Sequence, residues 1–134
     1  MPGPVLAIHG GAGGDGPWKG MTSLDPSRIR CMEGVLTDVG QHLLDGMDAV
    51  DAVTIAVEMM EDEPLFNAGR GSVLGADGGI SMDASIMQGV DGAAGAVIGV
   101  QRVRHPIRVA YHLLKKGWPV MLNTHAADHF GIEQ

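Results

Sequence analysis

The first half of the chain alternates between apolar runs and glycine-rich breaks. Residues 4–9 (PVLAIH) form a short, continuous apolar run that ends in glycines, which is typical of a buried strand. Residues 10–20 have no hydrophobic period and are predicted to form a loop. Asp25 followed by Pro26 predicts the start of a helix, because Asp caps free N–H groups and Pro is tolerated in the first turn. This helix is expected to stop near Gly46, and its apolar residues recur at helical spacing: Ile29, Met32, Val35, Leu36, Val39 and Leu43.

A second helix is predicted from about Asp48 to the residue before Pro64. Asp51 in its first turn suits the helix dipole, because negative charge is favourable at a helix N-terminus. Pro64 ends the helix because proline restricts the backbone of the residue that precedes it. The polar residues form one narrow stripe among apolar ones, so the helix is expected to be mostly buried: Asp51, Thr54, Glu58 and Glu61.

The second half of the chain is predicted to contain two adjacent strands, a helix and two short elements. Residues 79–88 alternate between apolar and polar side chains, and residues 93–100 are a run of small apolar residues that suits a strand packed closely on its neighbour. Residues 105–116 predict a helix, residues 120–122 a short strand and residues 126–130 a helical turn. Adjacent strands among helices favour an α+β fold over strict β-α-β alternation. Without an internal repeat or linker, residues 1–134 are expected to form a single unit.

Composition and charge exclude several classes of protein. The 21 glycines among 134 residues lack a Gly-X-Y period, and 45% of the residues are hydrophobic, which excludes collagen and a disordered linker. A net charge of −7 argues against binding to a nucleic-acid backbone, and the basic stretch over residues 102–116 is interpreted as a solvated surface. The single Cys31 lies at an apolar helical position and suits a buried thiol. No secretory signal or membrane-spanning run is present, so a cytoplasmic location is expected.

The glycine-rich loop after the first predicted strand has two interpretations. Gly11, Gly13 and Gly16 satisfy the dinucleotide-binding pattern G-x-G-x-x-G, which would make the chain a nucleotide-binding module. Phosphate binding by this pattern needs a helix that begins at the last glycines, whereas the next predicted helix begins only at Pro26. The alternative is a glycine loop that lets one stretch of backbone approach another.

Several polar residues are candidates for chemistry, each beside a structural alternative. The segment that begins at Asn67 (NAGRGS) has the residue types to bind a carboxylate, but an asparagine in this setting also caps turns. His125 and His129 have the spacing to share a metal, yet a third ligand is missing, so exposed helix histidines are favoured. His9 is interpreted as a hydrogen-bonding anchor rather than a general base. Asp83 is either catalytic or an inward carboxylate that anchors a loop.

Four segments in this order resemble the α subunit of plant-type asparaginases, also called isoaspartyl peptidases. They are IHGGAG, EPLFNAGRGSVL, MDASIMQG and GAAGAVIGVQRVRHPIRVA, and the resemblance covers about residues 5–130. It implies an N-terminal-nucleophile hydrolase with a four-layer αββα sandwich, cut from a precursor into α and β chains. One alternative is a relative of the same superfamily, a glycosylasparaginase or a threonine aspartase. Another is a subunit that has only a scaffolding role. The NAGRGS and MDASIM segments favour the plant-type branch.

The resemblance implies that this chain supplies one half of an active site. The nucleophile is a threonine at the start of the β chain, whose α-amine is the general base. The four threonines here (Thr22, Thr37, Thr54 and Thr124) lack the family's Gly-Thr-Val-Gly context, and the substrate-binding arginine and aspartate and the oxyanion donors also belong to the β chain. The chain ends before the family's polar linker to the threonine, so that linker is expected to have been trimmed or left out. An (αβ)₂ assembly and no organic cofactor are expected.

Three roles follow from the resemblance for residues of this chain. Asn67 would hydrogen-bond near the threonine and help to orient it. Gly10, Gly11 and Gly13 would lie beside the nucleophile, where a larger side chain would obstruct cleavage or substrate entry. The segment 60–70 matches a sodium-binding loop, because main-chain oxygens suit a hard cation. The implied ligands are the carbonyls of Met60, Glu61, Glu63, Phe66, Ala68 and Arg70.

Overall fold

A computed structural model describes residues 3–11 and 25–134 of the chain. It contains four α-helices, a short 3₁₀ turn and a three-stranded sheet, so the predicted α+β class is confirmed. The helices are α1 (Pro26–Leu44), α2 (Ala49–Asp62), α3 (Pro106–Lys116) and α4 (Thr124–Ile132). The strands are β1 (Met82–Met87), β2 (Ala94–Val100) and β3 (Met121–Asn123), and the 3₁₀ turn is Gly69–Gly71. In the described part of the chain, no helix is both long and apolar enough to cross a membrane.

The predicted helix boundaries follow from capping residues. The Asp25 carboxylate accepts from the N–H groups of Ser27 (2.8 Å) and Arg28 (3.1 Å), which fixes the start of α1. The N–H groups of Arg28 and Ser27 also lower the pKa of Asp25, because they stabilise its ionised form. The Asp48 carboxylate accepts from the Val50 N–H at 2.9 Å and caps α2 in the same way.

The sheet has β2 at its centre. β2 pairs with β1 antiparallel and with β3 parallel, and α3 forms the crossover between β2 and β3. Helix α3 packs on the β1–β2 pair, and Gly95 of β2 makes this close approach possible: a Cβ at Gly95 would overlap the carbonyl oxygen of Ala110. The main hydrophobic core lies in this interface and is completed from α2 and α4: Val50, Ile86, Val97, Val100, Ile107, Val109, Ala110, Leu113, Leu114 and Ala127.

Strand β1 confirms the predicted alternation but begins three residues later than predicted. Residues 75–79 form a turn instead, in which the Gly75 N–H donates to the Gly79 carbonyl at 2.7 Å and the Asp77 carboxylate accepts from the Gly79 N–H at 3.0 Å. Helix α4 is longer than the predicted turn at residues 126–130.

Helices α1 and α2 pack against each other through a second, smaller cluster: Val35, Val39, Ala52 and Ala56. Residues 3–11 lie extended on this cluster, with Leu6 and Ile8 turned towards it and Val5 90% exposed. The predicted strand at residues 4–9 is therefore wrong as a paired strand. It has strand-like alternation, but it joins no ladder among residues 3–11 and 25–134.

The polar stripe on α2 does not mark its exposed side. Thr54 and Glu61 are buried, while the apolar Val53 (39% exposed) and Val57 (36%) lie at the surface. The Thr54 hydroxyl donates to the Val50 carbonyl one turn earlier at 2.7 Å, so its burial leaves no unsatisfied group. The other two polar members face α3: Asp51 accepts from the Tyr111 hydroxyl at 2.7 Å, and Glu58 pairs with Arg108.

Candidate active-site wall and carbonyl loop

The first glycine motif lies against the loop that carries the asparagine motif. A Cβ at Gly10 would lie 2.8 Å from the Met32 Sδ and 3.0 Å from the Phe66 Cε1, so only glycine fits there without displacing either side chain. Gly11 has a φ of +97° and open space around it. Gly10 and Phe66 are 56 positions apart in the sequence, and the fold brings them into contact. Gly13, the third predicted wall residue, lies outside the described residues.

The segment 60–70 folds back on itself through two glycines. A Cβ at Gly69 would overlap the carbonyl oxygen of Glu61, and a Cβ at Gly71 would overlap that of Phe66 and lie 2.8 Å from that of Pro64. The loop carbonyl oxygens therefore lie where a side chain would begin, so both positions require glycine. Two of them, from Glu61 and Phe66, belong to the predicted sodium ligands. A third predicted ligand, the Ala68 carbonyl, accepts from the Gly71 N–H at 2.9 Å.

The start of α1 holds the middle of this carbonyl loop. The Arg28 Nε donates to the Leu65 carbonyl at 3.0 Å, across 37 positions of sequence. The Leu65 N–H in turn donates to the Glu63 carboxylate at 3.3 Å. These bonds fix the loop against α1, the same helix that supplies Met32 behind Gly10.

Asn67 lies exposed in the loop and fixes the exit of its 3₁₀ turn. Its side-chain oxygen accepts from the Val73 N–H at 3.0 Å, so the turn-capping interpretation is confirmed. Because only an oxygen can accept from that N–H, this bond also determines the amide orientation. The NH₂ group of Asn67 is thereby left as the donor available to a further partner.

The C-terminal end of α2 carries four carboxylates, at Glu58, Glu61 and Asp62 within the helix and at Glu63, its C-cap. Negative charge is unfavourable at a helix C-terminus, and no basic residue lies in the last turn of α2. The compensating groups come from the start of α3, and sequence reasoning missed them. An acidic helix end without local cations was the available signal that partners lie elsewhere in the chain.

His105 and its neighbouring arginines supply these partners. The His105 ring lies between two carboxylates, with Nε2 2.9 Å from the Asp62 Oδ1 and Nδ1 3.3 Å from the Glu58 Oε1. Arg104 donates to the same Asp62 oxygen at 2.8 Å and 3.0 Å, and Arg108 pairs with the other oxygen of Glu58. The hydrogen bond from His105, with that from Arg104, lowers the pKa of Asp62.

Glu61 is the buried member of this acidic turn, with 3% of its surface exposed. One of its oxygens accepts from the Ile107 N–H at 3.0 Å and caps α3, while the other is buried without a partner among the described atoms. Burial raises the pKa of Glu61 to about 7, since the ionised form loses its hydration. Its side chain thus holds α3 and its main-chain oxygen belongs to the carbonyl loop.

The remaining candidates have structural roles. His9 accepts from the Gly11 N–H through Nδ1 at 3.1 Å, which confirms the anchor interpretation. Asp83 accepts from the Gly99 N–H at 2.8 Å beside an irregularity in the β1–β2 register; it anchors backbone as expected, but its side chain is exposed rather than inward. His125 and His129 are exposed, and within the described ranges no cluster of three His, Cys, Asp or Glu could hold a metal. Cys31 is half-buried rather than buried, and burial, with the Glu63 charge, raises the pKa of its thiol, which disfavours a nucleophile.

The start of α1 also bears on the nucleotide interpretation. A phosphate at a helix N-terminus needs free N–H groups, and the Asp25 carboxylate already occupies those of Ser27 and Arg28. Gly13 and Gly16 of the dinucleotide pattern lie outside the described residues. The described part of the region therefore gives no support to this alternative.

Comparison with known proteins identifies the family. A model of the family described as asparaginase (Asparaginase_2) matches residues 2–134. The chain belongs to this family. It is 40% identical over 133 residues to the isoaspartyl peptidase/L-asparaginase of Rattus norvegicus, covering 96% of this chain and 38% of the relative. It is 46% identical over 110 residues to the protein of the same name from Nostoc sp. (82% and 34% covered). The plant-type L-asparaginase of Pyrococcus furiosus is 43% identical over 129 residues, with 94% and 40% covered.

The asparaginase family assignment covers nearly all of this chain but only part of its relatives. The chain spans about two fifths of the length of the curated relatives described above. The matched region contains both segments that the fold brings together at Gly10 and Phe66.

Proposed function

We propose that this chain is the α subunit of an amidohydrolase that hydrolyses L-asparagine, β-aspartyl (isoaspartyl) peptides or both. The observation that carries the proposal is the contact between Gly10 and Phe66, which joins the two family motifs into one wall. The names of the relatives, isoaspartyl peptidase/L-asparaginase and plant-type L-asparaginase, support the substrate class. They also favour this branch of the superfamily over a glycosylasparaginase or a threonine aspartase.

The proposed reaction proceeds through an acyl-enzyme. The hydroxyl of a β-chain N-terminal threonine attacks the side-chain amide carbonyl of the substrate, while the threonine α-amine takes up the hydroxyl proton. The C–N bond breaks, and ammonia or the peptide amine leaves with that proton. Water then attacks the ester, releases aspartate and regenerates the threonine. Asparagine and a β-aspartyl peptide present the same carbonyl and differ only in the leaving amine.

The residues of this chain would position the threonine rather than react with substrate. The Asn67 oxygen is held by the Val73 N–H, so its NH₂ is the group that would donate to the threonine hydroxyl oxygen. The absence of side chains at Gly10 and Gly11 would leave room for the threonine and for the substrate. These roles preorganise the nucleophile, and a small displacement of it would lower the rate strongly.

We also propose that the carbonyl loop binds sodium through the main-chain oxygens of Met60, Glu61, Glu63, Phe66, Ala68 and Arg70. The close approach of the Glu61 and Phe66 carbonyls to Gly69 and Gly71 supports this, because it keeps the loop backbone compact and neutral main-chain oxygens suit a hard cation. A bound cation would offset the mutual repulsion of these carbonyl dipoles and so hold Asn67 in place. It would take no part in the bond-breaking steps.

The partner that we propose is a β chain from the same precursor, with two αβ pairs in the assembly. The face of the sheet opposite α3 exposes Met87 (68%), Ile98 (46%) and Met121 (55%), and Val5 on the extended segment is 90% exposed. Three exposed apolar side chains on one face of a sheet favour a covering layer there. A second sheet on this face would complete the four-layer αββα sandwich.

The decisive experiment is denaturing mass spectrometry of the purified protein combined with an activity assay. We expect a 14.0 kDa chain together with a second polypeptide that begins with threonine, and release of aspartate from asparagine or β-aspartyl dipeptides. A monomeric, folded and fully active 14.0 kDa species without a second chain would contradict the proposal.

Substitution of Asn67 tests the role of this chain within the assembled enzyme. Asn67→Ala should lower kcat by at least about tenfold with a smaller effect on KM, since it removes an interaction with the nucleophile rather than with substrate. Asn123→Ala is the matched control, because Asn123 is exposed at the end of β3 and forms no side-chain cap. Equal activities of the two variants would remove Asn67 from the site.

A further inference from the structure

The positive charge of this acidic chain is concentrated in one segment. Residues 92–127 contain no Asp or Glu, yet they hold five of the nine Lys and Arg residues. The rest of the chain holds all sixteen acidic residues and four cations. Carboxylates from elsewhere pair with Arg104 and Arg108, so an anion would be attracted by the cations of this segment that have no such partner.

The fold gathers part of this segment around a single cleft. A cleft of about 300 Å³ between the start of α3 and the end of α4 is lined by Arg102, Arg104, Arg108, His105 and His112. Its volume is at the lower end of the range for small-molecule sites. The lining also includes Gln134 and holds no Asp or Glu, while Asp62 and Glu58 pair with Arg104 and Arg108 from outside the lining.

The floor and rim of the cleft are held rigidly. The buried Asp128 carboxylate accepts from the N–H groups of Gln101 (3.0 Å) and Arg102 (2.9 Å), which fixes the turn that carries Arg102. At Gly131 a Cβ would lie 2.7 Å from Val103 and 2.9 Å from Val109, so α4 packs tightly on the apolar base. A preformed cleft of this kind loses little conformational entropy when a ligand binds.

The guanidinium groups are oriented but not saturated. Arg104 directs two N–H groups at one oxygen of Asp62, and Arg108 directs its own at one oxygen of Glu58. A guanidinium has five N–H donors, so each arginine retains donors for another acceptor. Among the described residues, Arg102 has neither a carboxylate within 4.0 Å nor a hydrogen bond from its side chain.

We propose that this cleft binds a phosphate group, either as inorganic phosphate or as part of a small phosphomonoester. The three guanidinium groups line the cleft from one stretch of chain, residues 102–108, and a phosphate, which has several oxygens, can accept from more than one of them at once. Arg102 is the principal ligand, because its guanidinium pairs with no carboxylate among the described residues. The site is separate in its residues from Asn67 and Gly10, and it does not depend on the function proposed above.

The test is isothermal titration calorimetry of the full chain, with any subunit it carries, at constant ionic strength. One arm uses inorganic phosphate and the other glycerol 3-phosphate, which distinguishes a free anion from a phosphomonoester. We expect saturable binding in at least one arm. Arg102→Met should weaken it about tenfold, since charged hydrogen bonds contribute on this scale, and Arg102→Lys should weaken it less.

Lys116→Met is the matched control. It removes one positive charge from the same segment, but Lys116 lies over the Phe130 ring and does not line the cleft. We expect it to bind phosphate as the wild type does. The proposal is overturned if neither arm saturates, or if the Lys116 and Arg102 variants lose affinity equally, because either result means general charge attraction.

Discussion

Replacing Glu61 by glutamine tests whether the buried carboxylate sets the pH dependence of stability. The wild-type side chain caps α3 through one oxygen and buries the other without a partner among the described atoms. Glutamine keeps an oxygen that can accept from the Ile107 N–H, and it carries no charge at any pH. The substitution therefore removes the titration while it preserves the cap.

The magnitude follows from the pKa of Glu61, which is raised from 4.5 in the unfolded chain to about 7 in the folded one. Below pH 4.5 the carboxyl is protonated in both states, and its full contribution to stability is present. Between these values the folded state holds a proton that the unfolded state has released, so the free energy of unfolding falls as pH rises. At 1.36 kcal/mol for each pKa unit, the total loss by pH 8 is about 3 kcal/mol, and local relaxation would make it smaller.

The assay is urea unfolding of the full chain, followed by circular dichroism from pH 4.5 to 8 at constant sodium concentration. When the unfolding free energy of the wild type is subtracted from that of Glu61→Gln, the contributions of all other titrating groups cancel. We expect this difference to rise with pH by about 2 to 3 kcal/mol in favour of the variant. Glu33→Gln, on the exposed side of α1, makes the same chemical change away from the buried carboxylate and is the matched control. A difference for Glu61→Gln that does not change with pH would refute the argument.

Four further substitutions test close packing and hydrogen bonding, each by thermal or urea unfolding. Gly95→Ala should destabilise the fold by more than about 2 kcal/mol, because its Cβ would overlap the Ala110 carbonyl. Gly34→Ala is the control and should stabilise the fold by about 0.5 to 1 kcal/mol, because Gly34 lies in a helix with open space around it. Equal effects of the two substitutions would contradict the close packing at Gly95. Asp128→Ala should cost about 2 to 3 kcal/mol, since it leaves two backbone N–H groups without an acceptor, and a loss below about 0.5 kcal/mol would show that water replaces the carboxylate. Tyr111→Phe should lower the free energy of unfolding by about 1 kcal/mol, because it removes the 2.7 Å hydrogen bond from the Tyr111 hydroxyl to the Asp51 carboxylate of α2. An unchanged stability would mean that this bond contributes nothing.

The helices and the β1–β2 pair were predictable because their signals are local. The Asp25 cap, the glycine that follows α3 in a left-handed conformation and the alternation in β1 act over a few residues. The paired strand at residues 4–9 was wrong because pairing needs a neighbour in space, which no local pattern encodes. The burial of Glu61 was missed for the same reason, since its partner at Ile107 is 46 positions away.

The same distinction between local and distant signals applies to the candidate site. The glycine and asparagine motifs were recognisable because they resemble a known family, and the fold adds that Gly10 and Phe66 touch. The orientation of Asn67 could not be predicted, because it depends on a bond to Val73 across the 3₁₀ turn. The position of His105 between Glu58 and Asp62 could not be predicted either, since an acidic stripe on one helix does not show which cations will pair with it.

The pairing of β2 with both neighbours has a consequence for the order of folding. The β1–β2 ladder closes over a turn of a few residues, in which the Gln88 N–H donates to the Ala93 carbonyl at 2.8 Å. The β2–β3 ladder is parallel and closes only after α3 has crossed the sheet, which makes it the costlier loop. During synthesis, the hairpin and α3 can therefore assemble before β3 leaves the ribosome, and β3 would add to an edge that is already formed.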